Sequence, residues 1–373
     1  MKRIEPVSSS AQLAAFIDFG HELYKDNSNY VPELFIAQRD LLSPGKHPFH
    51  DHSMVQCFLA YNDNKITGRI AAILNNNHNN FNKTSDGFFG FFDVINDEET
   101  TALLFEAAEK WLKAKGVNSI IGPVNLSTNE TCALLIEGFD SPPVAMMTYN
   151  EPYYKLLLEK QGFQKKMDLI AYNFIVKERD ERRLRTVDQI KERLERKGIV
   201  FRPINLKKFK EETDQIREIY NSAWDKNLGF VPMTEKEFKY LAKDLKMILD
   251  KDFCMVAEHN GKMVGFSLAI PDVNQILKTI KKGRLFPTGI FKLLFKRKSI
   301  KRIRIITLGV IEGYRKMGIE TVFYAEIIKQ VLRKGITSAE ASWVLEDNYL
   351  MNKAILDING KPYKKYRIFE KSI

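Results

Sequence analysis

Hydrophobic and polar positions predict the same order of elements in each half of the chain. Apolar residues at three- and four-residue spacing predict a first helix, and two segments that alternate apolar and polar residues predict a pair of strands after it. The rest of each half reads as strand, long helix, strand, helix and strand. We therefore expect an α/β fold made of two similar copies, each with its own core.

The predicted elements cover most of both copies. In the first copy, helices are expected near residues 10–26, 98–115 and 150–161, and strands near residues 55–62, 65–75, 87–94, 118–122 and 166–176. In the second copy, helices are expected near residues 206–223, 235–249, 319–334 and 347–358, and strands near residues 199–203, 253–259, 262–270, 303–311, 338–343 and 363–370.

Short sequence repeats indicate that one unit was duplicated. Residues 57–68 and 254–265 align without a gap across a strand-turn-strand pattern. Before this pattern, residues 27–32 resemble residues 227–232. After it, Asn150 and Gly162 recur as Asn348 and Gly360, so the order is the same in both copies. A period this long excludes solenoid repeats, which run about 20 to 50 residues. We place the domains at residues 1–177 and 198–373, joined by a charged, exposed linking helix at residues 178–197.

The composition is ordinary for a globular protein of about two domains, with 373 residues of which 44% are hydrophobic and 28% charged. No apolar run approaches the roughly 18 residues needed to span a bilayer, and the N-terminal residues lack a signal-peptide pattern. We therefore expect a cytoplasmic protein, with peripheral membrane association left open. The three cysteines, Cys57, Cys132 and Cys254, form neither a disulfide framework nor a metal-binding spacing.

The net charge of +11 is concentrated in one segment. Residues 275–304 contain eleven Lys and Arg residues and no acid, so the charges of the rest of the chain sum to zero. The same segment interleaves aromatic and aliphatic residues with its cations, which fits an anionic membrane surface, an acidic carrier protein or RNA. Of these partners, we do not expect nucleic acid. Two short helices that cover the sheet and keep their lysines in water explain the segment as well.

Residues 122–150 form a long polar segment with prolines, which the second copy lacks. Long ordered segments of this kind often hold functional sites. Its polar residues are sufficient to line a pocket, and a plain surface loop is the alternative. They include Asn125, Ser127, Thr128, Asn129 and Glu130. A shorter Asn-rich segment, residues 75–82, is predicted as a turn.

The strongest local signal is a buried strand that runs into a turn and an apolar helix at residues 307–320. The main-chain N–H groups of such a turn and of the first helical turn lack internal partners, and the helix dipole adds to them, so they attract anions. Gly318 permits a phosphate oxygen to approach the main chain closely, and Arg315 and Lys316 add positive charge. Ordinary helix capping is the alternative explanation.

The spacing after Val310 sharpens this prediction. Arg315 lies five residues and Gly318 eight residues after Val310, and Asn348 starts a later helix with Gly360 twelve residues on. In this order of features the chain resembles the GNAT superfamily of acyl-CoA N-acyltransferases over most of its length. The resemblance implies two tandem GNAT-like domains, each a mixed, mostly antiparallel central sheet flanked by helices, with the site in the C-terminal half.

The resemblance also implies which residues bind the co-substrate, acetyl-CoA or a longer acyl-CoA. In the superfamily, the strand and the turn hold the pyrophosphate and pantetheine of coenzyme A, and the later helix closes the site. The matching residues here are Leu308, Gly309, Val310, Arg315, Lys316, Met317, Gly318, Ile319 and Asn348. The implied reaction moves an acyl group from a coenzyme A or carrier thioester to a small-molecule amine, with the main-chain N–H of Val310 as the oxyanion donor.

Three positions depart from the superfamily pattern. Glu320 replaces the last Gly or Ala of the turn, and its carboxylate either caps the helix or opposes the pyrophosphate. Ile355 occupies the position where many members have the tyrosine that protonates the leaving thiolate. In the first copy, residues 96–99 include three acids and no glycine. We therefore expect the first copy to be degenerate and to supply structure or acceptor contacts.

Acyl transfer to an amine needs a base, because an ammonium with a pKa near 10 must lose a proton. We predict Glu340 as this base and Glu312 as the second choice, although a solvated carboxylate at a strand edge fits each of them as well. Tyr366 and Tyr363 are candidates for the missing acid, and packing within a strand is their alternative role.

The remaining candidates point to no other chemistry. His47, His50 and His52 form the only histidine cluster, and without a nearby cysteine or a helical pair they fit a loop, so we expect no metal. Trp224 and Trp343 are interpreted as packing residues. Two other functions stay open beside acyl transfer: a non-catalytic sensor of acyl-CoA or lipid, and a tRNA-dependent aminoacyl transferase.

Overall fold

The computed structural model describes residues 1–176, 181–223 and 230–373. Its strands are β1 Lys2–Pro6, β2 Met54–Asn62, β3 Lys65–Leu74, β4 Asp86–Val94, β5 Ser119–Gly122, β6 Leu134–Glu137, β7 Gln164–Ile175, β8 Ile199–Pro203, β9 Cys254–His259, β10 Lys262–Pro271, β11 Arg302–Val310, β12 Ser338–Leu345 and β13 Lys361–Ser372. Its helices are α1 Ser10–Leu23, α2 Phe35–Leu41, α3 Asn76–Asn82, α4 Glu98–Lys113, α5 Tyr154–Lys160, α6 Glu181–Arg196, α7 Phe209–Ala223, α8 Glu235–Ile248, α9 Asn274–Leu277, α10 Gly289–Phe295, α11 Ile319–Arg333 and α12 Tyr349–Asp357.

The order of elements predicted from the sequence pattern is confirmed. Every predicted helix and strand is present within a few residues of its expected position, whereas short elements such as β1, α2 and β6 were not predicted. The Asn-rich segment predicted as a turn is helix α3. Asn75 starts this helix, because its side chain accepts a hydrogen bond from the main-chain N–H of His78 at 3.0 Å.

All thirteen described strands belong to one mixed, mostly antiparallel sheet. Twelve of them lie in the order β1-β2-β3-β4-β5-β13-β7-β12-β11-β10-β9-β8, and β6 pairs with β13. The neighbours β4 and β5 are parallel, as are β11 and β12. The two copies therefore share a sheet, flanked by helices.

The last strand of each copy is inserted into the other copy. Strand β13 pairs with β5 and with β7, where Tyr366 lies opposite Leu169, and β7 also pairs with β12, where Asn173 lies opposite Glu340. If β1–β5 are matched with β8–β12, the strand order reads the same from both ends of the sheet. This exchange was not predicted, and it means that the copies do not have separate sheets.

The hydrophobic core reflects the exchange. Phe369 of β13 is fully buried among aromatic residues beneath α4, in the cluster that contains Phe89, Phe105 and Phe163 of the first copy. On the opposite face, Tyr366 is buried in a cluster of first-copy residues. The C-terminal strand is thus a structural part of the first copy, since its removal would expose both clusters.

Helix α6 packs on α11 rather than standing free in solvent. Val187, Ile190 and Leu194 recur at three- and four-residue spacing, and all three belong to the cluster that contains the buried start of α11. Leu194 is 1% exposed. The predicted charged helix is therefore present over Glu181–Arg196, but one face is packed. Residues 178–180 of the predicted linker lie outside the described residues. None of the helices described here is long and apolar enough to cross a membrane.

Candidate active site

The parallel strands β11 and β12 separate halfway along, and a cavity lies in the gap. They pair from Arg302 opposite Ser338 to Ile305 opposite Ala341, whereas β11 stays paired with β10 as far as Val310. The cavity has a volume of about 280 Å³ and continues beneath α7 and α8. The separation of the two strands exposes main chain and side chains of β11 to a ligand.

The deep part of the cavity is apolar. Side chains of α7, α8, β9 and β10 form its walls, and aliphatic and aromatic groups predominate. They include Phe209, Ile216, Phe238, Leu241, Ala242, Leu245, Leu249, Phe266 and Leu268. A lining of this kind suits a hydrocarbon chain, because it offers few partners for polar groups.

The first copy contributes polar side chains to the wall of the cavity. Thr128, Asn129 and Glu130 of the 122–150 segment line it, together with Met146. Asn129 is held against the second copy, because its Oδ1 accepts a hydrogen bond from the Tyr220 hydroxyl at 2.8 Å and its Nδ2 donates to a main-chain carbonyl. The prediction that this segment lines a pocket is confirmed, and the surface-loop alternative is wrong.

Buried polar contacts fasten the other end of the same segment. The Arg304 guanidinium donates to the carbonyls of Ala145 and Met146, both at 2.9 Å, and the Asp272 carboxylate accepts from the Ala145 N–H at 2.9 Å. Arg304 and Asp272 are each 4% exposed. Burial raises the pKa of the Asp272 carboxyl to about 6. Such groups hold the segment in one position, since leaving them unpaired costs about 1–3 kcal/mol each.

Glu130 is the only carboxylate among the described residues that line this cavity. Its Oε1 lies 3.7 Å from Nε2 of His47, which is 5% exposed. The Nδ1 of His47 accepts a hydrogen bond from the main-chain N–H of Phe49 at 3.3 Å, so a neutral ring has its proton on Nε2, facing Glu130. The sequence signal was only that Glu130 is one of several polar residues in a long segment.

Tyr324 of α11 was not predicted from the sequence, and it lies at the wall beside α12. Its hydroxyl donates to the Met351 sulfur at 3.5 Å, and Ile355, one turn further along α12, also lines the cavity. Burial raises the pKa of Tyr324 to about 12, so the phenol keeps its proton at neutral pH. A protonated phenol therefore lies near the position where the superfamily tyrosine is missing.

The predicted co-substrate residues occupy three places. Leu308 and Asn348 line the cavity, and Gly309, Val310 and Ile319 are buried at the junction of β11 and α11. The turn residues are at least partly exposed. They are Arg315, Lys316, Met317 and Gly318.

Gly318 precedes α11 with a φ of 103°, which favours glycine, and no side chain caps the helix. The Arg315 Nε donates to the Val310 carbonyl at 3.0 Å, which leaves the rest of its guanidinium exposed beside Lys316. A Cβ on residue 318 would lie 2.9 Å from Ile190 of α6. The positive φ and the nearby side chain of Ile190 therefore both favour glycine at residue 318, whether or not a phosphate approaches it.

Glu340 and Tyr366 do not line the cavity. Glu340 is fully buried on β12, where Oε2 accepts a hydrogen bond from the Tyr363 hydroxyl and lies 3.3 Å from Nη2 of Arg302. The alternative of a solvated strand-edge carboxylate is therefore wrong for Glu340. Tyr366 is fully buried, and its hydroxyl has no partner among the described residues. Their catalytic roles stay predictions. Glu312 is exposed in the turn after β11.

The histidines have separate partners. Besides the His47 contact, His50 Nε2 lies 3.0 Å from the Leu41 carbonyl and His52 Nε2 lies 3.1 Å from Glu237. No group of three His, Cys, Asp or Glu residues suited to a metal occurs in the part of the chain that the structure describes. Trp343 lines the cavity, and Trp224 lies outside the described residues.

In the first copy, the equivalent gap between β4 and β5 is filled by the chain itself. The two strands pair only as far as Phe88 opposite Ile121. Beyond this point the Val124 N–H donates to the Phe89 carbonyl at 2.7 Å, and Asn125 Oδ1 accepts from the next free N–H of β4 at 2.8 Å. A smaller cavity of about 180 Å³ remains beside this plug, and it shares Thr128, Trp343 and Leu345 with the larger one.

Comparisons with known proteins agree with this fold. No protein-family model matches the sequence. Protein YghO of Escherichia coli strain K12 is 37% identical over 372 residues, which cover 97% of this chain and 93% of that protein. Bacterial ceramide synthase of Caulobacter vibrioides is 34% identical over 379 residues, covering 99% and 97%. Among solved structures, a tandem GNAT protein from the clavulanic acid biosynthesis pathway covers 100% of this chain and 98% of its own with a TM-score of 0.59, at 9% identity.

Proposed function

Because the chain belongs to the family of Protein YghO and bacterial ceramide synthase and is a tandem-domain member of the GNAT superfamily, we propose that it transfers a long acyl chain from coenzyme A to an amine. The GNAT fold supports N-acyl transfer with acyl-CoA as the co-substrate. We place the reaction in the 280 Å³ cavity of the second copy. The acceptor in this proposal is a long-chain amino alcohol.

The apolar depth of the cavity is the main observation in favour of a long acyl chain. Its volume approaches the roughly 300–1,000 Å³ typical of ligand pockets, and apolar side chains of α7 and α8 line it in addition to residues of β11 and β12. An acetyl group at the gap would leave most of the cavity empty. Of the two predicted co-substrates, the longer acyl-CoA therefore fits better.

The turn before α11 fits the pyrophosphate of coenzyme A. Arg315 and Lys316 are exposed there, and the uncapped N-terminus of α11 offers main-chain N–H groups. Glu320 in the first helical turn opposes this charge, so we expect moderate affinity. At the cavity wall, the buried Thr307 hydroxyl has no partner among the described residues and is available to the bound substrate.

In the proposed mechanism, Glu130 accepts the proton that the acceptor ammonium must lose, and His47 holds the carboxylate in place. The free amine then forms the C–N bond as the C–S bond breaks. The main-chain N–H of Val310 is the oxyanion donor that the GNAT resemblance implies. Tyr324 supplies the proton to the leaving thiolate, and the second proton that the attacking nitrogen loses restores the phenol.

The name of one relative and the second cavity both support a long-chain acceptor. Ceramide is the amide of a fatty acid and a long-chain amino alcohol, so a ceramide synthase joins two apolar chains at one nitrogen. In this chain two cavities meet at Thr128, Trp343 and Leu345. The larger would hold the acyl chain and the smaller would receive part of the acceptor, whose amine then lies near Glu130.

A matrix of acyl-CoA chain lengths and amines tests this proposal. Thiol release and the mass of the amide product are the readouts. We expect long-chain acyl-CoA with a long-chain amino alcohol to give the highest kcat/KM, and Glu130→Gln to abolish most of the turnover. Equal or better turnover with acetyl-CoA would contradict the chain-length proposal. Binding of acyl-CoA without turnover of any pair would favour the non-catalytic sensor, which Glu320 and Ile355 suggest.

A further inference from the structure

An exposed apolar and basic surface projects from the second copy at residues 286–298. Four large apolar side chains are exposed there: Phe286 by 76%, Phe291 by 57%, Leu294 by 59% and Phe295 by 79%. Three consecutive cations follow them: Lys296, Arg297 and Lys298, all exposed. We call these seven residues the docking surface.

The geometry of α10 concentrates the apolar residues on one side. Phe291, Leu294 and Phe295 lie at three- and four-residue spacing, which places them on one face of the helix. The rings of Phe291 and Phe295 stack with their planes 4° apart and their centres separated by 6.4 Å. A solvent-exposed face of this composition is unfavourable in water unless something covers it.

The first part of the basic segment is already used within the fold. Arg284 donates to the Asp18 carboxylate of α1 at 2.7 and 2.8 Å, and Lys282 lies 3.2 Å from Glu22. At the other end, Arg304 is buried at the cavity. The cations of the docking surface form no salt bridge among the described residues, and Arg297 donates only to the Leu249 carbonyl.

The docking surface lies beside the apolar end of the cavity. Leu293, on the inner side of α10, packs in the same cluster as Leu245 of α8, Leu249 just after it, and Met146. The last three residues also line the cavity. A hydrocarbon surface that meets α10 would therefore touch the elements that enclose the proposed acyl-chain site.

We propose that the docking surface binds an anionic lipid bilayer, with its aromatic side chains at the boundary between headgroups and acyl chains. Aromatic residues inserted at this level and lysines paired with anionic headgroups are the two features by which proteins bind such membranes. An acidic carrier protein would use the cations but leave four large apolar side chains in water. The bilayer binding does not depend on the proposed function, although it would bring the cavity to its lipid substrates.

Sedimentation of the full chain with phosphatidylcholine vesicles, with and without phosphatidylglycerol, tests this inference. We expect pelleting with the anionic vesicles only, weakened by salt. The triple variant Lys296→Glu, Arg297→Glu, Lys298→Glu should lower the apparent partition coefficient on the order of 10²-fold. In the parent, the apolar contacts should keep part of the binding at high salt. The variant Phe291→Ser, Leu294→Ser, Phe295→Ser should lose this salt-resistant part.

A matched control uses three exposed lysines outside the docking surface, Lys207→Glu, Lys208→Glu and Lys210→Glu, which changes the net charge equally and should leave pelleting nearly unchanged. Equal pelleting with neutral vesicles, pelleting with neither, or equal losses in control and test variants would overturn the inference. Turnover of detergent-dispersed substrates should be the same in the docking-surface variants and the parent. Failure of the proposed function would remove this turnover from all of them and leave the vesicle result unaffected.

Discussion

The two copies use the gap between their parallel central strands in opposite ways. In the second copy the gap between β11 and β12 opens into a cavity of about 280 Å³. In the first copy the gap between β4 and β5 is closed by Val124 and Asn125, which bond to the free edge of β4. A Cβ on Gly90 would lie 2.3 Å from the Val124 carbonyl, so the plug is tightly packed. Residues 124 and 125 thus occupy the place in the first copy that is a cavity in the second.

The same segment completes the site of the second copy. A few residues after the plug, Thr128, Asn129 and Glu130 form the polar wall of the second cavity. The two copies therefore contribute differently to this cavity: the second copy provides the gap between its central strands, and the first copy provides polar side chains. The same segment thus closes one gap and lines the other.

The helices that follow the central strands β4 and β11 also differ between the copies, in the charge at their N-terminal ends. Helix α4 begins with Asp97, Glu98 and Glu99, and the Asp97 carboxylate caps the helix and pairs with Lys2 at 2.7 Å. Helix α11 has no side-chain cap and follows Arg315 and Lys316. The charges at the start of α4 therefore disfavour an anion, whereas those at the start of α11 favour one, with Glu320 as the single opposing charge of its first turn.

The largest effect is expected at the residue that the first copy supplies. Glu130→Gln should lower kcat on the order of 10²- to 10⁴-fold, because the ammonium loses its base, while acyl-CoA affinity changes little. Thiol release under saturating substrate measures this effect. Asn125→Ala in the plug is the control and should keep turnover near that of the parent. Full turnover of Glu130→Gln would show that the first copy contributes no base.

A smaller effect, on the stability of the protein, is expected at Glu340, which the sequence pattern favoured as the base. Glu340→Gln leaves the Arg302 guanidinium without its buried carboxylate and should cost about 2 kcal/mol of unfolding free energy. Chemical denaturation measures this loss. Tyr366→Phe should be nearly neutral, because the hydroxyl it removes has no partner among the described residues. A loss of turnover in Glu340→Gln with unchanged stability would instead restore Glu340 as the catalytic base.

The charge difference between the two helix starts predicts one co-substrate site per chain. Reversing the charge at Arg315 and Lys316 to Glu should raise the Kd for acyl-CoA by about 10- to 100-fold, since two favourable charges become unfavourable. Titration calorimetry should show a single site in the parent. Two sites of similar affinity would contradict the comparison, because the first copy would then also bind.

The apolar end of the cavity should set the preferred chain length. Ala242 on α8 is 8% exposed at the cavity wall, and Ala242→Phe fills space there. We expect the preference in kcat/KM between a long and a medium acyl chain to fall by about 10-fold, because a few methylene groups no longer fit. Ala108→Phe, a fully buried alanine in the first copy, controls for general overpacking. An unchanged profile in Ala242→Phe would place the acyl chain elsewhere.

The last effect, on stability alone, concerns the contact that holds the shared segment. Burial raises the pKa of Asp272 to about 6 from 3.8. Its contribution to stability is therefore fully present below about pH 4 and is lost as the pH rises through 6, an effect of about 1–3 kcal/mol. Asp272→Asn should flatten the melting temperature across this range while keeping the Ala145 contact. A pH profile identical to that of the parent would refute the linkage.

The local pattern of the sequence was sufficient for the elements and for the turn between β11 and α11. Helix α11 and strand β11 follow from the spacing of apolar residues, which depends only on nearby positions. The polar content of residues 122–150 also indicated a pocket. It could not indicate in which copy that pocket would lie, because residues 128–130 line a cavity between strands that are distant from them in the sequence.

The tertiary structure alone decided the strand exchange and, with it, the position of Glu340. Alternation along β12 predicts two faces, but it does not say what lies beside the strand. Strand β7 of the first copy covers the side that the sequence pattern left open, so Glu340 is buried, with Asn173 opposite it on β7 and Arg302 beside its carboxylate. Glu130 and His47 meet only after folding, since 83 positions separate residues 47 and 130 along the chain and no local period connects them.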